Sequence, residues 1–285
     1  MLLVATAAAL ACTSARAVTF NTFVTGPSIA AVLGGNSTIG FAYAGAKFVG
    51  SVYFNQQLYS TDQTGGGVAK FGAPVAAFGG GETYVSSSLG AGGFGPRDVY
   101  AGNDSLASVF RFANDSSSQS LFTSGLNGGA RSIAFDPYGL YGKNMIVATR
   151  SGNIYKVDIL GVATLLASLG SDTEGISFAP QPFGPYAAET LFVASEGMGR
   201  LSAVSPAGEI TTVVNGMSLP EMVSFVPCIG HAIITGEGGH QVYDVSSDGF
   251  QFNLANIAFF PGQAEDGIFV TVDIIGLHPS PSPGR

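Results

Sequence analysis

At 285 residues, 46% of them hydrophobic and 11% charged, the chain is long enough to bury a large core and too apolar for disorder. Eleven Lys+Arg against 19 Asp+Glu give a formal net charge of −8 with no basic run, which argues against nucleic acid as a partner. Forty-one Gly and 14 Pro, spread without a three-residue period, exclude collagen and point to many short strands with tight turns.

The chain opens on an apolar stretch, residues 1–11, followed by small and polar residues and the A-x-A pattern Ala15-Arg16-Ala17. This predicts a signal peptide over residues 1–17, without the usual basic start, and a secreted or periplasmic mature chain from Val18. Cleavage there leaves Cys228 as the single cysteine, so no internal disulfide can form. Its neighbours Phe225, Val226 and Ile229 read as the surroundings of a buried, inert thiol. No apolar run reaches the length of a transmembrane segment; residues 267–277 are too few and include Asp273.

An apolar strand running into small residues or Gly then recurs. Its first apolar positions are Ile29, Val75, Leu121 and Leu165, with Thr211 equivalent, spaced 46, 46, 44 and 46 apart, and Phe250 follows after 39 more. A second marker alternates apolar, small and aromatic residues with the period of two that a strand requires. It reads IGFAY (39–43), IAFDP (133–137), ISFAP (176–180), VSFVP (223–227) and IAFFP (257–261). Second strands are predicted at 57–61, 98–102, 145–149, 191–195 and 232–236. Third strands are predicted at 67–71, 108–112, 153–157, 200–204 and 240–245. Four strands per repeat of about 40–50 residues is the signature of a β-propeller blade.

The fold class is therefore all-β, a six-bladed β-propeller forming a single domain over residues 18–276 with a Pro-rich tail at 277–285. The blades are placed at 37–81, 82–128, 129–170, 172–217, 219–254, and 255–276 together with 18–35. The last is closed by strands from both termini, 18–24 and 29–33 at the N-terminal end, which leaves no unpaired edge at the joint. The opening strand of the second blade, 83–88, fits the pattern least well.

In such a ring the segment entering each blade and the turn between its second and third strands share one face around the channel. The entry positions are Ser37, Glu82, Arg131, Glu174, Glu221 and Ala255. The turns carry Asp62, Asp104, Arg150, Glu196 and Glu237, with His240 beyond Gly238-Gly239. Carboxylates gathered at a channel mouth suit Ca²⁺ or another hard cation, or acid–base work through raised pKa values. Turn chemistry and solubility account for Asp62, Asp104, Glu196 and Glu237 at least as well, because Asp, Glu and Gly belong in exposed hairpins. Glu174 and Glu221 stand nearer the axis and are the metal candidates, and Arg131 is placed opposite Glu174. The turn Asp136-Pro137-Tyr138-Gly139 is assigned to the opposite face. The three His lack ligand spacing for zinc, and no G-x-S-x-G occurs.

The phrase IAFDP (133–137), MIVA (145–148), GNIYKVD (152–158) resembles blades of six-bladed propellers of the NHL and gluconolactonase-like (SMP-30-type) groups. The resemblance covers nearly all of the mature chain at the level of architecture. For the second group it implies a divalent cation in the channel and the opening of lactone or ester rings. Glu174-Gly175 is similar to that group's metal-binding Glu followed by Gly, though it falls in a middle blade and the group's Asn and Asp ligands have no match. For the NHL group it implies partner binding without catalysis. The leading expectation is an exported, monomeric binding or interaction module for a protein, small-molecule or carbohydrate ligand. The second is a Ca²⁺-dependent lactonase-like hydrolase using Glu174 and Glu221.

Overall fold

The structure is a computed structural model, and it describes residues 24–35, 38–226, 231–236 and 241–246. A short helix leads into five antiparallel sheets, four of four strands and one of three. The first comprises β1 (Thr38–Tyr43), β2 (Phe48–Val52), β3 (Leu58–Thr61) and β4 (Ala69–Phe71). The second comprises β5 (Thr83–Ser87), β6 (Val99–Asn103), β7 (Leu106–Phe112) and β8 (Gln119–Ser124). The third comprises β9 (Ala130–Phe135), β10 (Met145–Thr149), β11 (Asn153–Val157) and β12 (Ala163–Ser168). The fourth comprises β13 (Ile176–Phe178), β14 (Leu191–Ser195), β15 (Arg200–Val204) and β16 (Ile210–Asn215). The fifth holds β17 (Pro220–Val226), β18 (His231–Gly236) and β19 (Gln241–Ser246). Each sheet is a meander whose strands pair in chain order.

The sheets stack like propeller blades because their middle strands are apolar on both faces. All five residues of β10 are buried. Met145 and Val147 pack with Tyr100, Val109 and Phe135 toward the second sheet. Ile146 and Ala148 pack with Ile176, Leu191 and Val193 toward the fourth. The period-two alternation of a strand thus feeds two inter-sheet cores at once. Equivalent layers join the first and second sheets, around Leu58, Phe78 and Phe112, and the fourth and fifth, around Phe192, Leu201 and Val223. The opening strands of successive sheets lie beside one another, β1 by β5, β5 by β9, β9 by β13 and β13 by β17, and each is an end strand of its sheet.

The turn between the third and fourth strands of a sheet rests on the outermost strand of the preceding one. At the β11–β12 turn Gly161 has φ 79°, and a side chain there would collide with the Phe122 carbonyl in β8. Gly208, φ 86°, stands in the same relation to the Leu166 carbonyl in β12. Both positions need the left-handed backbone and the missing Cβ together.

Three expectations for the N-terminal part are corrected. Residues 29–33 form no strand: they belong to α1 (Gly26–Leu33). Thr25 caps it by accepting from the Ser28 N–H at 3.3 Å, Pro27 sits in its first turn, and Gly34 ends it at φ 77° with its N–H on the Ala30 carbonyl. These local signals outweigh an apolar run that also fits a strand. In the first repeat the strand at 57–61 is the third of its sheet, because β2 precedes it. The apolar run after Pro74 is a 3₁₀ turn, Ala76–Gly80, with Phe78 wholly buried. The opening strand of the second sheet, β5, is present. The leader, the joint between the chain ends, residues 18–23 and 255–276 of the sixth blade and the tail lie outside the described residues, as do Ser37, Cys228, Glu237, His240 and Ala255.

Candidate functional site in the channel

A cavity of about 270 Å³ runs between the opening strands, lined by β1, β5, β9 and β13 with Met222 of β17. Its charged end is built on the segments that enter the sheets. Arg131 is the second residue of β9, and Asp172, Thr173 and Glu174 lead into β13. The Thr173 hydroxyl donates to the Thr149 carbonyl at 2.8 Å, tying that segment to the third sheet. The Glu174 N–H donates to Ala194 O at 3.1 Å, and Gly175 N–H donates to Glu221 O. An extended segment alternates its side chains, so Asp172 and Glu174 point to the same side.

Arg131 lies at the centre. Its guanidinium forms an ion pair with Glu174 through Nη1, and it reaches Glu196 at 3.2 Å through Nη1 and Asp172 at 3.5 Å through Nη2. The Arg131 and Glu174 side chains are only 10% and 6% exposed, so neither charge is free to be solvated. Burial alone disfavours the arginine's charge, but Tyr84, Asp172, Glu82 and Glu196 outweigh it and its pKa is raised. One ligand oxygen from each of Asp172, Glu174 and Glu196 lies within 4.8 Å of the others. Burial pushes the Asp172 carboxyl up to about 6, against the pull of Arg131, with Glu196 and Asp104 adding to the rise and Arg150 opposing it. Its Oδ1 is buried without a hydrogen-bond partner among the described residues.

Around this centre the Tyr84 hydroxyl donates to the Glu82 carboxylate. The Glu82 N–H donates to Asp104 Oδ1 at 3.1 Å, and Asp104 stands 3.7 Å from the largely exposed Arg150. Glu221 is 4% exposed in β17. The structure therefore brings Glu82, Arg131, Glu174 and Glu196 of the predicted rim to one place. Asp62 is elsewhere. Because β2 was not foreseen, its turn joins β3 to β4 and lies on the opposite face. There it is exposed, and its pKa is lowered by hydrogen bonds it accepts from the Thr64 hydroxyl at 2.7 Å and from the N–H groups of Thr64 and Gly66 at 2.8 and 2.9 Å. Asp136 is also on that face. Its carboxylate accepts from the N–H groups of Tyr138, Gly139, Tyr141 and Lys143 at 3.1, 2.9, 2.8 and 2.9 Å. Sequence reading missed Asp172, whose signal was the D-x-E spacing of Asp172 and Glu174 on an extended entry segment.

Chemically, three hard oxygen donors at this separation fit a Ca²⁺-like cation, and the unpartnered Asp172 Oδ1 is a donor the protein itself leaves unused. Arg131 is the resident positive charge among them. No family model matches the chain, and no curated protein matches it. Among solved structures it is similar to one described as a nidogen/laminin complex, with TM-score 0.55 and 14% identity over 74% of this chain and 76% of that one. It is similar to a streptogramin B lyase, with TM-score 0.58 and 12% identity over 75% and 67%. It is also similar to a catalytically inactive variant of virginiamycin B lyase from Staphylococcus aureus with quinupristin, with TM-score 0.56 and 11% identity over 75% and 68%. These likenesses establish the propeller-like fold and the architecture-level resemblance to NHL and SMP-30-type propellers.

Proposed function

We propose that the protein is a metal-dependent, lactonase-like hydrolase with its site at the charged end of the channel. The observation that carries this reading is the Asp172/Glu174/Glu196 triad, Glu174 buried and the other two partly so, with one carboxylate oxygen left unpartnered among the described residues. It favours the reading that the sequence placed second to a binding module, with Glu221 beside Glu174. A bound cation would be held by Glu174, Glu196 and Asp172 and would polarise a lactone or ester carbonyl. With no cation bound, burial pushes the Asp172 carboxyl up to about 6, so it is ionised at neutral pH, and the oxygen it would not give to the cation is placed to take a proton from the attacking water. The water oxygen bonds to the carbonyl carbon, the ring C–O bond breaks, and the departing alkoxide receives the proton that Asp172 took.

The reading includes a sixth blade from residues 256–274 joined to residues 18–24, supported by the repeat spacing, and export, supported by the leader pattern. Among the described residues no helix is long and apolar enough to cross a membrane.

The test is a Ca²⁺ titration read by melting temperature, followed by lactone hydrolysis with and without chelator. A ligand at 100 times its dissociation constant stabilises by about 2.7 kcal/mol. Millimolar Ca²⁺ is expected to raise the Tm of the parent and leave Glu174→Gln unmoved. No shift in the parent removes the physical basis of the reading. A shift without chelator-sensitive turnover leaves a cation-loaded binding module.

A further inference from the structure

The oxygens that a cation would need are already in use. Nη1 of Arg131 is paired with Glu174 Oε1 and stands 3.2 Å from Glu196 Oε2, and Nη2 stands 3.5 Å from Asp172 Oδ2. A Ca²⁺-like ion takes carboxylate oxygens at about 2.3–2.6 Å. One oxygen from each of the three carboxylates lies within 4.8 Å of the others, so an ion bonded to all three would fill the space between them. The edge of the guanidinium, paired with all three, lies in that space. Ion and arginine therefore exclude each other at this position.

The two sides of the contact come from different sheets. Asp172 and Glu174 lead into β13 and Glu196 follows β14, so all three carboxylates belong to the fourth sheet, whereas Arg131 is in β9 of the third. The fourth sheet builds the seat and the third inserts an arginine into it. Joining the sheets does not require that arginine. Ile146 and Ala148 already pack with Ile176, Leu191 and Val193, and the Thr173 hydroxyl donates to the Thr149 carbonyl at 2.8 Å. A buried ion pair also adds little net stability, because desolvation offsets the attraction.

Charge decides what can displace the guanidinium. A monovalent ion brings no more charge than Arg131 already supplies, and it competes with a group that the chain holds in place. A divalent ion brings twice the charge to three carboxylates in surroundings of low dielectric.

We infer that Arg131 is a tethered cation occupying the metal seat, an autoinhibitory contact that a divalent ion must displace before the site is loaded. This rests on the reading of the three carboxylates as a cation site. It gives Arg131 the role of setting the cation affinity and keeping monovalent ions out.

Arg131→Ala empties the seat, and Arg150→Ala is the control. The Arg150 side chain is 60% exposed and its charge also acts on Asp172, but it pairs with Asp104. Ca²⁺ binding to the full chain is measured by calorimetry at fixed ionic strength. R131A is expected to bind Ca²⁺ at least about tenfold more tightly than the parent, because a buried positive charge next to the ion is removed. R150A is expected to gain less than about threefold, because an exposed charge is screened. Methylguanidinium, the lost group supplied free, is expected to weaken Ca²⁺ binding to R131A more than an equal concentration of KCl does, and to make no such difference in the parent. Equal affinity in R131A and parent, the same gain in R150A, or a methylguanidinium effect no larger than that of KCl overturns the inference and leaves the cation reading intact. Binding by R131A with none by the parent upholds the inference and removes the cation-loaded parent from the proposed function. No binding by either overturns the inference and the cation reading together. Should R131A not fold, NMR of the parent with isotope-labelled arginine decides the matter. The Arg131 Nη signals are expected to shift as Ca²⁺ is added while those of Arg150 do not, and Arg131 signals that stay in place across the titration overturn the inference.

Discussion

Asp172→Asn tests whether the carboxylate cluster is strained in the folded protein. Burial raises the folded pKa of Asp172 from its ordinary value of 3.8 to about 6. A raised carboxyl pKa means the fold favours the protonated form. The stability contributed by this group is therefore fully present below about pH 4 and is lost as pH rises through about 6. Each pKa unit is worth about 1.4 kcal/mol, so roughly 3 kcal/mol separates the two limits. With the side chain 23% exposed, about 1–3 kcal/mol is the working range. The attraction to Arg131 at 3.5 Å is already contained in that net shift. Asn cannot ionise, so the variant is expected to be more stable than the parent by about 1–3 kcal/mol at pH 7 and no more stable at pH 4. Urea unfolding in EDTA at pH 4, 5.5 and 7 measures the difference. A variant less stable than the parent at pH 7, or a gap that does not change with pH, would refute the reasoning. Saturating Ca²⁺ should reverse the order at pH 7, because the ion stabilises only the protein that keeps its ligand.

Asp136→Ala, on the opposite face, removes an acceptor for four backbone N–H groups and should cost at least about 3 kcal/mol in urea unfolding. Its Ca²⁺ affinity should equal the parent's; a change would link the two faces. Tyr100 is wholly buried among Phe94, Phe122 and Phe135, its hydroxyl has no hydrogen-bond partner among the described residues, and burial pushes its pKa up to about 12. Tyr100→Phe should therefore raise stability by about 1 kcal/mol, and a loss of that size would show that the hydroxyl is satisfied after all.

The repeat was legible wherever one strand feeds two cores, because apolar residues then mark the first four positions of β10 and β14 and alternation marks the opening strands. It failed in the first repeat for local reasons. Phe48–Val52 includes Gly50 and Ser51, which dilute its apolar pattern, and α1 is fixed by a cap, an early Pro and a terminal Gly that an apolar-run count does not weigh. One missed strand then moved Asp62 to the wrong face. Arg131 and Glu174 were legible as a facing pair because entry segments of neighbouring sheets converge at the channel. Glu196 was not separable from an ordinary turn residue by sequence alone. What distinguishes it is the 3.2 Å approach to Arg131, a contact 65 residues away in the chain. Asp172 stands outside any repeated position, so only its two-residue spacing from Glu174 pointed to it.

The turns that rest on neighbouring outer strands have a consequence for behaviour in concentrated solution. The strands β8, β12 and β16 carry exposed Leu121, Leu165 and Ile210, and each is an end strand of its sheet. Such an edge invites a strand from another molecule. At Gly161 and Gly208 the next sheet's turn sits against the Phe122 and Leu166 carbonyls, on the very strands that end the second and third sheets. An incoming strand would first have to lift that turn. The third and fourth sheets thus guard their predecessors against edge-to-edge association, and substituting either glycine would expose an aggregation seam before it disturbed the channel.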